Sequence, residues 1–314
     1  YSYCLVPSHS AGILAVSSPS LQPYVWMLLG SLSFACMGTL AHELRTVYDW
    51  QLVAAARCAI PLILVAALAL GGGVKLVFLR PGVLWMRSLA GSLSLVATFF
   101  ALTRLPPSDV FTITNMFPIW VALLSWPMLG EWPGWQVWLA VFFGVIGVAV
   151  IQQPHLAEGN WAVWVALAAS LSTALAMLGL HRLKGIDTRA VVVHFSGVAL
   201  CFALGAWLTF DHDPHPAIPQ ATLLPWLELA GVGLTATVGQ LLLTKAFTCG
   251  EPAKVSVVGL TEIVFVLGLD VLMGRAPSWQ KWLGVPLVLG PTAWIMLREG
   301  KARGPTLQEA EEAI

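Results

Sequence analysis

The chain has 314 residues, of which 58% are hydrophobic and only 10% are charged, and its formal net charge at pH 7 is zero. Soluble domains are about 45–50% apolar and about 25% charged, so this composition excludes an ordinary soluble domain. Because the chain has neither an excess of positive charge nor a basic stripe, the sequence also argues against a nucleic acid partner.

The apolar residues fall into runs of about 20, which as helices are long enough to cross a hydrocarbon layer of about 30 Å. Short breaks rich in Gly and Pro separate ten such runs. The predicted spans are 24–43, 51–71, 82–103, 108–129, 133–152, 161–181, 189–210, 224–247, 253–273 and 278–297. The sequence therefore predicts an all-α membrane protein with ten transmembrane helices, embedded in the lipid bilayer, with tails at 1–23 and 298–314.

The break before the fifth span recurs before the tenth. Residues 130–139 read GEWPGWQVWL and residues 274–283 read GRAPSWQKWL, so Gly, Pro, Trp, Gln, Trp and Leu recur at an offset of 144 residues. The chain is therefore predicted to contain two similar halves, 24–152 and 161–297. Each half holds five spans, an odd number, so the second half must enter the membrane from the opposite side, as an inverted repeat.

The orientation follows from Lys and Arg, which concentrate in the cytoplasmic loops of membrane proteins. If the N-terminus is inside, most Lys and Arg residues lie on or near the cytoplasmic side, and four lie on the other side: Arg45, Arg104, Arg275 and Lys281. We therefore predict that both termini are cytoplasmic.

Three short motifs carry a family resemblance: LPPSD at 105–109, FPIW at 117–120 and LGE at 129–131. Together they resemble the EamA repeat of the drug/metabolite transporter superfamily, and 246–247 and 250–253 resemble the same module in the second half. The resemblance implies two inverted five-helix EamA repeats around a cavity that opens alternately to each side. It does not imply a single substrate, since the superfamily carries amino acids, nucleotide sugars, sugar phosphates, carboxylates and drugs.

A narrower resemblance comes from Arg57-Cys58, Gln240 and the TKA motif at 244–246. These residues look most like bacterial members near the animal organic-anion-type solute carriers. They imply a bacterial inner-membrane protein whose substrate is a small organic metabolite. The one departure is at Glu262, which at the 144-residue offset corresponds to Pro118, so an acid replaces a helix-bending residue in the second half.

Ionisable residues inside the spans are the main candidates for substrate binding, because a charge at the midplane costs at least about 2.5 kcal/mol unless it is paired or hydrated. Glu262 lies near the middle of the ninth span, and Arg57 and Arg87 lie one to two turns inside the second and third spans. Either Arg is suited to an anionic group, and Glu262 to a proton or a cation. The alternative is a structural ion pair among these residues, or a side chain that reaches the membrane surface.

Lys245 and Lys254 flank the break between the eighth and ninth spans, near the predicted level of Arg87. Three cations converging there would suit a carboxylate or a phosphate. The alternative for each lysine is to anchor the cytoplasmic side.

Neutral polar residues at membrane depth are the second group of candidates, with Asn115 in the fourth span and Gln240 in the eighth. Such side chains orient ligands in cavities, but they also join helices by hydrogen bonds. His194 is a further candidate, either as a proton carrier or as a hydrogen-bonded structural histidine.

The sequence contains no Walker loop, nucleophile elbow or pair of catalytic carboxylates, so an enzyme and an ATP-driven pump are both disfavoured, and no cofactor is predicted. Asp211, His212, Asp213 and His215 cluster in a Pro-rich loop, where metal binding is disfavoured. We predict a secondary or exchange transporter of a small polar solute, in particular an organic anion. The alternative is a proton-coupled exporter of amino acids or amphipathic drugs, and the sequence is compatible with a monomer or a homodimer.

Overall fold

The structure is a computed structural model that describes residues 21–44, 47–79, 81–155, 161–210 and 223–301. All regular secondary structure in these ranges is helical. The first repeat contains α1 (Gln22–Leu44), α2 (Trp50–Gly71), α3 (Gly82–Leu102), α4 (Pro107–Thr114), α5 (Phe117–Leu129) and α6 (Trp135–Gln152). The second contains α7 (Ala162–His181), α8 (Thr188–Thr209), α9 (Leu224–Cys249), α10 (Pro252–Gly259), α11 (Thr261–Leu272) and α12 (Trp279–Lys301).

Nine segments of the described chain are long and apolar enough to cross a membrane, and the pairs α4–α5 and α10–α11 each form one of them. The remaining helix, α12, completes the second set of five; it contains Pro286 and Pro291. The predicted all-α fold with two repeats of five spans is confirmed.

The helices pack with an approximate two-fold symmetry. Helix α3 of the first repeat lies along α7 of the second, and α1 lies along α9 in the corresponding way, while α2 lies along α8 and α6 along α12. Exchanging the two halves turns the α1–α9 pair into the α7–α3 pair and leaves the α2–α8 and α6–α12 pairs unchanged. This is the packing expected of an inverted repeat, in which each half completes the core of the other.

The spans predicted at 108–129 and 253–273 are present, but each consists of two short helices separated by a break, a detail that the sequence did not predict. The fourth span is interrupted after Thr114 and resumes at Phe117, and the ninth is interrupted after Gly259 and resumes at Thr261. The half-helices α4 and α10 have eight residues each, and both begin with proline. The two halves are therefore broken at the same depth.

The first break follows from Pro118. This residue lies in the first turn of α5, where its missing N–H has no helical partner to lose, but continuing the helix backwards would press its ring against the carbonyl of Thr114. The Asn115 side-chain amide donates a hydrogen bond of 2.8 Å to the carbonyl of Phe111 and so closes the end of α4.

The second break has no proline and depends on a neighbouring helix. Ser31 of α1 donates a hydrogen bond of 3.3 Å to the carbonyl of Gly259, and the Thr261 hydroxyl donates one of 2.7 Å to the carbonyl of Val258. A Cβ on Gly259 would lie 2.9 Å from Cε of Met27, so glycine also allows α1 to approach. Backbone groups released inside a membrane need such partners, and here side chains of α1 and α11 supply them.

The two ends of the bundle differ. We call the end where α1 begins and α12 finishes the tail end, and the opposite end the far end. On the tail side of the breaks α5 packs against α10, whereas α4 and α11, both fully described, do not pack along each other on the far side. The broken spans therefore meet on one side only.

Ion pairs fasten both ends. At the tail end Lys254 pairs with Glu251 at 2.5 Å and with Glu299 at 2.9 Å, which ties α10 to α12. At the far end Arg275 pairs with Glu43 and, at 2.9 Å, with Asp270, which ties the α11–α12 turn to α1.

Candidate transport site

A small cavity lies in the middle of the bundle, between helices of both repeats. It has room for about one water molecule. Its lining residues are Phe34, Arg57, Cys58, Pro61, Leu95, Phe195, Ser196, Ala236 and Gln240. Most of these are apolar, so its polar character comes chiefly from Arg57 and Gln240.

Arg57 and Gln240 present hydrogen-bond donors to this cavity. Arg57 is partly exposed, and among the described residues it makes no hydrogen bond and no ion pair within 4 Å. Gln240 is 8% exposed, and its Nε2 has no hydrogen-bond partner in the described chain. A guanidinium and an amide that retain their donors at one cavity form a suitable site for an anionic oxygen.

Glu262 lies in the first turn of α11, directly after the second break, where the helix dipole favours a negative charge. Its side chain is partly exposed and lies within electrostatic range of Arg57. No described cation approaches its carboxylate within 4 Å. Arg57 and Glu262 thus offset each other's charge at a distance, while each keeps its hydrogen-bonding capacity.

Arg87 lies beside the cavity and not in its wall. It is 2% exposed, and its Nε and Nη1 have no hydrogen-bond partner in the part of the chain that the structure describes. Its guanidinium carbon lies 4.2 Å from the centre of the Phe195 ring, and Phe195 lines the cavity. One aromatic ring therefore separates Arg87 from Arg57 and Gln240.

The structure does not bring Arg87, Lys245 and Lys254 together. Lys254 is held by its two acidic partners, and Lys245 is exposed, with Nζ 5.4 Å from the centre of the Trp26 ring. The predicted convergence of three cations is absent from this conformation of the described residues. A role for Lys245 in substrate binding stays a prediction.

The neutral candidates divide into two groups. Gln240 lines the cavity, whereas Asn115 caps α4 at the first break and so acts on helix geometry here. His194 has both ring nitrogens engaged: Nδ1 lies 2.7 Å from the Ser88 hydroxyl, and Nε2 lies 3.2 Å from the carbonyl oxygen of Phe78. These two hydrogen bonds correspond to the second alternative for His194, a structural histidine, and not to a proton carrier.

Phe195 and Ser31 were missed by the sequence prediction. A phenylalanine or a serine in an apolar span looks the same whether it faces lipid, a neighbouring helix or a cavity. The nearest signal was glycine, because Gly91 and Gly259 mark the places where Phe195 and α1 approach closely. The Asp211 to His215 cluster lies outside the described residues, and the described ones contain no group of three or more potential metal ligands.

Two inverted halves, broken spans at equal depth and charged groups at a central cavity are features of membrane transporters. Comparison with protein families agrees, since residues 21–152 and 160–297 each match the EamA-like transporter family. The chain belongs to this family. It is a multi-pass integral membrane transporter of small molecules, and not an enzyme.

Named relatives are also transporters. The chain is 28% identical over 263 residues to the pseudopaline exporter CntI of Pseudomonas aeruginosa strain UCBPP-PA14, covering 82% of this chain and 87% of that one. It is 25% identical over 284 residues to the riboflavin transporter of Rhizobium johnstonii, covering 88% and 91%. It is 21% identical over 238 residues to mouse solute carrier family 35 member G1, covering 68% and 61%.

A solved crystal structure shares the fold. It matches with a TM-score of 0.76 and 20% identity, covering 90% of this chain and 98% of that one. At this identity the match concerns the arrangement of the helices alone.

Proposed function

We propose that the protein is a secondary carrier that moves a small organic anion by alternating access. The observation that carries the proposal is the pair of free donors, Arg57 and Gln240, at one cavity between the two repeats. An anionic oxygen would accept hydrogen bonds from both side chains. Hydrogen bonds of this kind, with one charged partner, are about twice as strong as neutral ones.

The cavity must enlarge before it holds a solute. The breaks provide a means, because α4 ends and α11 begins at a break, and these two half-helices do not pack against each other within the described structure; Glu262 of α11 also lies within electrostatic range of Arg57 in the cavity wall. Separating them further would open the cavity toward the far end. Closing them, while α5 and α10 part, would open it toward the tail end. Alternating access is largely a rocking or gating of one repeat against the other around a fixed central site.

In this proposal the protein lies in a bacterial inner membrane with its tail end in the cytoplasm, in agreement with the distribution of Lys and Arg. Because the sequence has no Walker motif, a solute or ion gradient supplies the energy, by exchange or by coupled transport.

Glu262 supports a second candidate, a proton-coupled exporter of amino acids or amphipathic compounds. Its carboxylate has no described ion-pair partner within 4 Å, and it adjoins the hinge of α11. A solute with both an amine and a carboxylate would place one group on Glu262 and the other on Arg57. The name of the pseudopaline exporter is compatible with transport in this direction.

A thermal-stability screen of the purified protein tests the first proposal. Carboxylates, phosphates, nucleotide sugars and amino acids are added in turn, because a ligand that binds the native state raises the melting temperature. We expect an anion to stabilise the wild type, and Arg57→Gln to weaken that anion at least about tenfold, by the loss of a charge-assisted hydrogen bond. The matched control is Arg182→Gln at an exposed arginine, which should keep wild-type affinity. An equal response in Arg57→Gln and the wild type would refute the proposal.

Imposed pH gradients separate the two candidates. Proteoliposomes are loaded with the best ligand of the screen, and its efflux is measured with and without a gradient. Efflux that a proton gradient drives in the wild type but not in Glu262→Gln supports the second candidate. Efflux that is indifferent to pH, and faster with substrate on the other side, supports anion exchange.

A further inference from the structure

Arg87 is a buried charge that the cavity described above does not use. The residue is only 2% exposed, so water cannot reach most of it, and two of its nitrogens, Nε and Nη1, have no hydrogen-bond partner in the described chain. A guanidinium without a hydrogen-bonded partner is unfavourable inside a membrane protein, and such residues mark ion and substrate pathways. An anionic partner for Arg87 would therefore stabilise the conformation in which it binds.

Phe195 is the barrier between Arg87 and the cavity. Its ring lies against the Arg87 guanidinium at 4.2 Å, and the same side chain lines the cavity beside Arg57. Rotation of an aromatic side chain to another staggered position needs no change in the backbone. Moving this one ring would join Arg87 to the cavity.

Gly91 provides the space in which the two side chains meet. A Cβ at this position would lie 2.3 Å from Nη1 of Arg87 and 2.8 Å from Cε2 of Phe195. A larger residue would displace both groups. The contact therefore depends on a glycine in α3, one turn beyond Arg87.

The two arginines lie at different depths. Arg57 is about two turns from the far end of α2, whereas Arg87 is little more than one turn from the tail end of α3. A solute crossing from one end to the other would meet them in sequence.

We propose that Arg87 is a second anion-binding site, which receives the carboxylate or phosphate group of the solute from Arg57 when Phe195 moves aside. The proposal rests on the proposed function, in that the solute must be anionic. Arg57 serves the conformation described here, and Arg87 serves the one that opens at the tail end.

The test uses the full-length purified protein with two probes, inorganic phosphate and succinate, and follows melting temperature against probe concentration. Phe195→Ala removes the barrier, so its apparent affinity for at least one probe should rise about tenfold over the wild type. The double variant Phe195→Ala/Arg87→Gln should lose this gain. The matched control is Phe202→Ala on the same helix, which should behave as the wild type. If Phe195→Ala gains no affinity, or if its gain persists in the double variant, the proposal is overturned.

A second measurement distinguishes a binding role from a structural one. Without anions, Arg87→Gln should melt at the same temperature as the wild type or higher, because it removes a buried charge that has no hydrogen-bonded partner among the described residues. Its counterflow of the best ligand of the screen should fall at least about tenfold. A lowered melting temperature, or counterflow at the wild-type rate, contradicts the proposal. Failure of the proposed function looks different, because the wild type would then show no anion response that depends on Arg57, whatever Phe195→Ala does.

Discussion

The two breaks have the same position in their repeats but are built from different residues. In the first, Pro118 prevents the helix from continuing, and Asn115 closes the end of α4 from within the same span. In the second, the Ser31 hydroxyl of α1 donates a hydrogen bond to the carbonyl of Gly259. The position that corresponds to the proline is occupied by Glu262. Because α1 supports the second break, the first turn of α11 does not need a proline and can carry a charged residue instead. The difference supports the proposal that the second break, unlike the first, also takes part in transport through Glu262.

The largest expected effect comes from making the second break like the first. Glu262→Pro places proline in the first turn of α11, a position that tolerates it, so the fold should be kept. Counterflow in proteoliposomes should fall at least about tenfold, because the solute or ion loses a carboxylate to bind, and one hydrogen bond to a charged group is worth about 1.5–3 kcal/mol. Glu262→Gln should give a similar loss with the backbone unchanged. Wild-type counterflow in both variants would show that the charge has no role in transport.

The next effect concerns the approach of α1 to the second break. Gly259→Leu would place its side chain against Met27, so we expect a loss of about 1–3 kcal/mol in the free energy of unfolding, as for other overpacked cores. Thermal unfolding in detergent measures it. Gly268→Leu is the control, because a Cβ at Gly268 has nothing within 4 Å. Equal stability of the two variants would contradict the close approach.

A smaller effect is expected from removing the one hydrogen bond with which α1 supports the second break. Ser31→Ala leaves the carbonyl of Gly259 without its partner from α1, which should cost about 1 kcal/mol in the free energy of unfolding. The control is Ser170→Ala in α7, since the Ser170 hydroxyl is buried and has no hydrogen-bond partner in the described chain. This substitution should be close to neutral. Equal losses in the two variants would mean that the hydrogen bond does not support the break.

The smallest effect is expected at the first break. Asn115→Ala removes the hydrogen bond to the carbonyl of Phe111, for which we expect a loss of about 0.5 kcal/mol, because this carbonyl lies on a partly exposed helix end. Melting temperature is again the measurement. A loss of stability larger than that of Ser31→Ala would mean that the first break depends more on its side-chain hydrogen bond than the second, which would contradict the comparison above.

Much of the fold could be predicted from the sequence, because hydropathy and the 144-residue repeat depend on many residues at once. The breaks could not, because each depends on one or two residues: a proline in α5 whose ring would clash with the carbonyl of Thr114 in a continuous helix, and a serine of α1 that lies 228 positions from its acceptor. The site was predicted in part. Arg57, Gln240 and Glu262 were selected because polar groups are costly in a membrane, and the structure places Arg57 and Gln240 at one cavity, with Glu262 within electrostatic range of Arg57. Lys245 was selected for a different reason, its position beside the break after the eighth span near the predicted level of Arg87, and the structure leaves it exposed, since position along the chain does not tell which way a side chain points.

The one-sided packing of the broken spans has a thermodynamic consequence. If α4 and α11 closed while α5 and α10 parted, the two halves would exchange shapes, and the packing that one repeat gives up would form again in the other. Because the two conformations would contain equivalent packing, they would be close to equal in free energy, and small free-energy differences between the halves would set their populations. In the proposed mechanism, the residues that differ between the halves, such as Pro118 and Glu262, would then determine which conformation prevails and which solute or ion can shift the balance.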